Sequence, residues 1–172
     1  MRFVFLILLF ACNSSDDISE NLPKISDFNE NEIGMPIITI ARDGVSLVKA
    51  TSNKLIKNER SNAILRGDVK ADFFDEKGLL ISKLCSDSAY IDQNTNNLHA
   101  YGNVSVISND SVKLFSKSIL WDNHYKLITS HDSVMFTSSG QDTMYGVGFE
   151  SDMDLTKWKI KKPRGVSGKA KY

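Results

Sequence analysis

A thirty-residue repeat of strand-like patterns constrains the fold of this chain more than any other feature. Residues 83–108 align without a gap with residues 113–138, and identical residues recur thirty positions apart, as at Ser86 and Ser116. Apolar and polar residues alternate within each copy, which is the pattern of β-strands with one buried face. A repeat that cannot bury its apolar face alone must stack on its neighbours. The chain is therefore predicted to be all-β.

The order of strands and turns within each copy predicts the architecture. The frame extends upstream, because residues 66–71 match residues 101–106 and 131–136. Each copy reads as strand, polar turn, strand and second turn, so successive copies form stacked antiparallel hairpins. Such hairpins would give two facing sheets with an apolar lining. We predict an elongated, twisted β-jelly roll or two-sheet sandwich, built as a single domain from residues 32–172.

Strand alternation also predicts which side chains line the space between the sheets. Small residues such as Ala100 leave space between the sheets, or they pack tightly against aromatic residues such as Phe149. Alternation alone leaves both possibilities open, since any sandwich needs an apolar core. The predicted lining consists of Leu84, Ile91, Leu98, Ala100, Val104, Val106, Leu114, Trp121, Ile128, Val134, Phe136 and Phe149.

The N-terminus carries a short apolar run that ends at a cysteine. Residues 3–11 are apolar and follow a single basic residue, Arg2, but they are far fewer than the roughly 20 needed to span a bilayer as a helix. The run resembles a bacterial lipoprotein signal, in which a small residue precedes the cysteine that receives lipid. We predict a signal peptide over residues 1–11 and a lipid anchor at Cys12. The alternative is an ordinary secretory signal with a chance cysteine.

The segment that follows Cys12 is predicted to be a flexible tether. Residues 12–31 are rich in Ser, Asp, Glu and Asn and offer few apolar side chains to bury. If Cys12 carries lipid, the other cysteine, Cys85, has no partner for a disulfide within the chain. We expect Cys85 to be a small buried residue of the core.

Charge and motif content point away from catalysis. Lys plus Arg equals Asp plus Glu at 21 each, which does not suggest a nucleic-acid partner. The sequence lacks the motifs of common hydrolases, metalloproteases and phosphate loops, so we predict no enzyme, no cofactor and no metal site. Three histidines without metal-ligand spacing are expected in turns or on the surface, namely His99, His124 and His131. Three aspartates recurring every thirty residues are expected to form turns, namely Asp92, Asp122 and Asp152.

Near the C-terminus, lysines alternate with apolar residues. This pattern predicts a strand over residues 156–162 that stops at Pro163. Lysines on a terminal edge strand can guard the edge against unwanted pairing. Alternatively, the edge pairs with a strand of a partner protein by β-augmentation. The candidate residues of this partner edge are Lys157, Trp158, Lys159, Ile160 and Lys161.

Several motifs together resemble the LptC family, the periplasmic component of the lipopolysaccharide export machinery. They are the strand starts "GDV" and "GNV", the strands "SDSAYID" and "SKSILWD", and the stretch from residue 142 to residue 166. The similarity extends over roughly residues 31–168. It implies a β-jelly roll whose apolar groove, formed by the predicted lining, accepts lipopolysaccharide from the inner-membrane ABC transporter. It also implies that the edge strand joins the periplasmic bridge protein that receives the lipopolysaccharide.

The anchor departs from the family pattern. The best known members of the LptC family carry an N-terminal transmembrane helix, whereas this chain resembles a lipoprotein. We expect a lipid-anchored protein on the periplasmic side of a Gram-negative envelope, at the inner membrane rather than the outer. A second hypothesis, in which the core is dry and binds no lipid, is a β-repeat scaffold or assembly lipoprotein of the envelope.

Overall fold

The computed structural model describes residues 31–58 and 62–167, and these ranges fold into eleven strands. The strands are β1 (Asn31–Gly34), β2 (Ile37–Arg42), β3 (Val45–Thr51), β4 (Lys54–Asn58), β5 (Asn62–Phe74), β6 (Leu80–Asp92), β7 (Leu98–Ser108), β8 (Lys113–Asp122), β9 (Leu127–Thr137), β10 (Thr143–Asp152) and β11 (Trp158–Ser167). The described ranges contain no helix, and so none that could cross a bilayer. The prediction of an all-β fold is confirmed. The proposed signal peptide, Cys12 and most of the tether lie outside the described residues.

All eleven strands belong to one antiparallel sheet. From β4 to β11 each strand pairs with the next, with β1 beside β4. Strand β5 pairs with β4 along its first half and with β3 along its second half, and β2 pairs with β3. Two separate sheets were expected, and this detail is wrong. The two layers of the sandwich are the two halves of a single sheet that is folded over on itself.

A line of β-bulges, here called the fold line, crosses the middle of the long strands. The register of neighbouring strands slips at the same height in each pair from β5 to β10, and a bulge bends its strand and sharpens its twist. Strands β5 to β10 therefore run in one layer before the bulge and in the other layer after it. The fold line comprises residues 67–68 of β5, 86–87 of β6, 102–103 of β7, 117–119 of β8, 131–132 of β9 and 148 of β10.

The two layers are defined by the turns at their outer margins. Layer A contains β1, β4, the first half of β5 and the strand halves that meet at the turns between β6 and β7, β8 and β9, and β10 and β11. Layer B contains β2, β3 and the halves that meet at the turns between β5 and β6, β7 and β8, and β9 and β10. The layers face each other, because Phe73 of layer B packs against Trp121 of layer A with ring centroids 5.5 Å apart.

The predicted aspartate turns are confirmed by their hydrogen bonds. The Asp92 carboxylate accepts the amide of Asn94 at 2.8 Å, and thirty residues later the Asp122 carboxylate accepts the amide of His124 at 2.8 Å. The third aspartate, Asp152, accepts the amide of Lys157 at 3.0 Å. These carboxylates satisfy backbone amides that the strand ladder leaves free. They are consequently structural groups of the layer A margin.

The second turn of each copy also repeats with the same geometry. The amide of Ser111 donates to the carbonyl of Ser108 at 3.0 Å, and that of Gln141 donates to the carbonyl of Ser138 at 2.9 Å. Ser111 and Gln141 have nearly equal positive φ angles of 63° and 66°. The thirty-residue repeat of the sequence is therefore a repeat of backbone conformation.

We expect Gly102→Ala, on the fold line, to lower the free energy of unfolding by about 2 kcal/mol. Gly102 has a φ of +77°, and an added Cβ would overlap the carboxylate of Asp87, which accepts a 2.8 Å hydrogen bond from Asn103. The matched control is Gly78→Ala, because Gly78 has the same φ of +77° and open space around its Cα. The free energy of unfolding of the control should fall by only about 1 kcal/mol, which is the cost of placing a residue with a Cβ at a positive φ. If urea denaturation shows the same loss of unfolding free energy for both variants, the close approach of residue 102 to Asp87 does not affect stability.

Candidate functional site

The space between the two layers, here called the interior, contains all twelve residues of the predicted lining. None of the twelve is more than 4% exposed. Layer A contributes six of them, Ile91, Leu98, Ala100, Trp121, Ile128 and Phe149, and layer B contributes Leu84, Val104, Val106, Leu114, Val134 and Phe136. Ser105 and Met135, which alternate with these residues along β7 and β9, are only partly buried. The strand phase deduced from alternation is correct.

Interior side chains form continuous cross-strand rows. In layer A one row runs through Ile91, Leu98, Trp121 and Ile128, crosses β10 at the buried Ser151 and ends at Trp158 of β11. The row begins at Ala63 of β5, so it crosses seven strands. At about 4.8 Å between strands, six spacings correspond to roughly 29 Å. The interior is thus a long, filled and largely apolar core, here called the corridor, that runs perpendicular to the strands.

The margins of the two layers meet opposite the fold line, along what we call the seam. Arg42, at the end of β2, donates from Nη2 to the Asn123 carbonyl in the β8–β9 turn at 3.1 Å. The Ser82 hydroxyl of β6 donates to the Met153 carbonyl in the β10–β11 turn. Each bond joins layer B to layer A. The seam is therefore closed in this structure.

At the β11 end the interior reaches the surface. Trp158 is 39% exposed, yet its ring packs on Phe136 with centroids 4.5 Å apart. Phe136 in turn packs on Phe149 at 5.3 Å. Ile160 lies against Gly146, where any added Cβ would overlap it. An aromatic path thus leads from the edge strand into the corridor.

Comparison with known proteins identifies the family. Residues 42–155 match the model of the family described as OstA-like protein, which is well over half of the chain. The chain belongs to the OstA-like family. No curated protein sequence matches it. Among solved structures, it is similar to LptH from Pseudomonas aeruginosa, described as the LptA-homologous periplasmic component of the lipopolysaccharide transport device.

The likeness to LptH concerns the fold. The TM-score is 0.55 at 14% sequence identity, and the match covers 70% of this chain and 92% of LptH. The predicted β-jelly roll is thereby confirmed. The OstA-like match begins at Arg42 of the seam and ends at Leu155, so strand β11 lies beyond it. The edge strand has to be interpreted from its own geometry.

Strand β11 differs from the prediction at both ends. It runs from Trp158 to Ser167 and passes through Pro163, where it was expected to stop. Pro163 is tolerated because β11 is an edge strand, and the register with β10 slips by one residue beside it. Lys157 lies before the strand, in the turn in which its amide bonds to Asp152. Lys159 and Lys161 are exposed on the strand.

The direction of the β11 backbone groups follows from the neighbouring turn. The Asp152 amide donates to the Lys157 carbonyl at 3.3 Å, so these two residues form a hydrogen-bonded pair. Bonded and non-bonded pairs alternate along an antiparallel ladder. Lys159 therefore bonds to β10, whereas the amides of Trp158 and Ile160 point out from the open edge. A partner strand would meet these two donors first.

The expectation for Cys85 is wrong, because its side chain is exposed. Its neighbours Leu84 and Ser86 are both buried, so alternation turns Cys85 to the outer face of layer B. The histidine expectation is correct for His99, which lies on the outer face of layer A with its ring 5.6 Å from that of Tyr90.

Sequence analysis missed several core residues outside the best-matched copies. Phe73, which packs on Trp121, follows the same alternation as the later strands and could have been found by extending the frame into β5. Leu155 is 1% exposed although it lies in the β10–β11 turn, where its φ is +60°. No strand pattern predicts such a residue, since it is buried by the closure of the seam.

Proposed function

We propose that this OstA-like protein is a lipid-anchored, LptC-type component of lipopolysaccharide transport. It accepts lipopolysaccharide from the inner-membrane ABC transporter in the interior and passes it to the periplasmic bridge protein. The observation that carries the proposal is the continuous apolar corridor that reaches the surface at Trp158. The role that LptH has by its description, a periplasmic component of lipopolysaccharide transport, supports it.

Energies favour acyl chains in the corridor once the seam opens. A buried chain of about twelve methylene groups gains roughly 10 kcal/mol, at about 0.8 kcal/mol each. The hydrogen bonds of Arg42 and Ser82 across the seam contribute about 1 kcal/mol each. Measured from water, this gain is larger than the loss of these two bonds, and the acyl chains would also keep the lining out of water. The protein therefore needs no catalytic group, and a transporter that hydrolyses ATP drives the flow.

The two ends of the protein have separate tasks in this proposal. Lipid on Cys12 holds the domain at the membrane, on the periplasmic side and at the inner rather than the outer membrane. Residues 12–31 form the tether that gives the domain its reach. The open edge of β11 pairs with the bridge protein, so lipid leaves where Trp158 connects the interior to the surface.

A second candidate function is a scaffold or assembly lipoprotein with a dry core. The observation that favours it is the closed seam, behind which residues such as Leu84 and Phe136 are fully buried. The two functions differ in whether the interior ever holds lipid, and crosslinking inside cells can decide between them.

A photo-reactive residue at Val106 or Phe136 should crosslink to lipopolysaccharide in cells, because both positions face the corridor. The matched controls are the adjacent positions Ser105 and Met135, which point to the outer face. We expect several-fold stronger adducts at the interior positions, measured by immunoblotting for lipopolysaccharide. If the interior positions and their outer-face controls label lipopolysaccharide equally, or if neither labels it, the scaffold function is favoured.

A further inference from the structure

Two cationic side chains from distant parts of the chain converge at the seam. Arg42 donates to the Asn123 carbonyl at 3.1 Å, and Lys126 donates from Nζ to the Asn123 side-chain oxygen at 3.2 Å. Asn123 is itself fixed, because its amide donates to Asn97 at 2.9 Å and its side chain donates to the Thr95 carbonyl. The cations are thus held beside one another by a rigid turn.

Neither cation has an anionic partner in the described residues. The ion pairs found in ranges 31–58 and 62–167 involve other lysines, and none includes Arg42 or Lys126. Burial lowers the pKa of Lys126, and the nearby Arg42 lowers it further, while Glu76 opposes these effects more weakly. The seam therefore keeps two like charges together, and Glu76, although it acts on Lys126, forms no ion pair with either of them.

An unpaired donor belongs to the aromatic ring below Lys126. Lys126 Nζ is 5.6 Å from the ring of Trp121, which is fully buried. The indole Nε1 of Trp121 has no acceptor among the described residues, and it is the one buried side-chain polar atom there without a partner. Buried donors are nearly always paired in native proteins. Two cations without an ion pair, next to a ring with an unpaired donor, indicate a ligand with anionic oxygen atoms.

We propose that Arg42 and Lys126 bind a phosphate group of the amphiphile whose acyl chains occupy the interior. A guanidinium can hold phosphate through two parallel hydrogen bonds, and an ammonium adds a point charge. Trp121 lies in the layer A row of the interior, behind the seam. A phosphate at this position would place the attached acyl chains against the seam, through which they would enter the corridor. This assignment rests on the proposed function, since it requires that the interior takes lipid.

Phosphate binding would also act on the seam. Arg42 uses its Nη2 group to reach across to the Asn123 carbonyl, which is one of the two side-chain hydrogen bonds described above that close the seam. A phosphate has a full negative charge and competes strongly with a neutral carbonyl for that group. The head group would therefore loosen the layers at the point where its acyl chains enter.

The test compares two lipids and two double variants of the full-length protein in detergent. The lipids are lipid A with both phosphates and the same lipid with its phosphates removed. The variants are Arg42→Gln/Lys126→Gln and, as a matched control, Lys113→Gln/Lys117→Gln on the outer face of β8, where both lysines are exposed. Dissociation constants are measured by tryptophan fluorescence, and circular dichroism checks folding.

We expect the parent and control proteins to prefer the phosphorylated lipid by about tenfold or more, the size of one charge-assisted hydrogen bond. The Arg42→Gln/Lys126→Gln protein, here called the seam variant, should lose this preference. It should still bind the dephosphorylated lipid as tightly as the parent does. An unchanged preference in the seam variant would overturn the phosphate site and leave the proposed function intact. If the parent binds neither lipid, both proposals fail. Inorganic phosphate binding as tightly as lipid A would overturn the assignment to a lipid head group.

Discussion

Ile160→Pro should abolish recruitment of the bridge protein while the domain remains folded and anchored. The Ile160 amide points out from the open edge of β11, and β-augmentation draws its affinity mainly from main-chain hydrogen bonds. A proline removes this donor and places a ring in the path of the partner strand. It does not remove a bond to β10, because the hydrogen-bonded position in that ladder is Lys159. Pull-down of the bridge protein measures the effect.

The control for Ile160→Pro is Ile160→Ala. Both variants lose the side chain that packs against Gly146, and only the proline loses the amide. Ile160→Ala should therefore retain most of the recruitment. Lys159→Ala should have a small effect, since exposed charges contribute little. If the proline variant recruits the bridge as well as the parent does, the lysines of β11 only guard the edge, and the bridge docks elsewhere.

The position of the proline decides what the experiment tests. Lys159→Pro would not replace Ile160→Pro, because it would break the ladder that holds β11 to β10 and would unfold the edge itself. Truncation before Thr156 likewise removes the whole strand and should abolish recruitment, although it tests the strand rather than its open edge.

Much of the fold follows from local sequence periodicity. The alternation that gave Val104 and Phe136 to the interior depends only on the pleat of a strand. Asp92 and Asp122 formed turns because a carboxylate beside free backbone amides bonds to them wherever the chain turns back. Cys85 shows how a residue-type expectation can mislead, since alternation beside the buried Leu84 already placed it on the outer face.

Local sequence periodicity does not predict that one sheet folds into two layers. The "GDV" motif, predicted to be a strand start, lies inside β5 with a bulge at Gly67 and Asp68. The fold line exists only because bulges of many strands lie at the same height. The seam is still harder to predict from the sequence. Arg42 and Asn123 are 81 residues apart and share no motif, so only the closed tertiary structure brings Arg42 and Lys126 together at Asn123.

Cys12→Ser should release the protein from the membrane or leave an unprocessed precursor. The apolar run of residues 3–11 is too short to span a bilayer, so attachment depends on acyl chains, of which two or more are needed for stable anchoring. Membrane and soluble fractions separated by ultracentrifugation give the measurement. Cys85→Ser is the matched control, because its exposed thiol lies on the outer face of the folded domain and should not affect attachment. Processing of the unmutated protein to a soluble form in the presence of globomycin would show that Cys12 carries no lipid. Residues 12–31 would then not link the domain to a membrane.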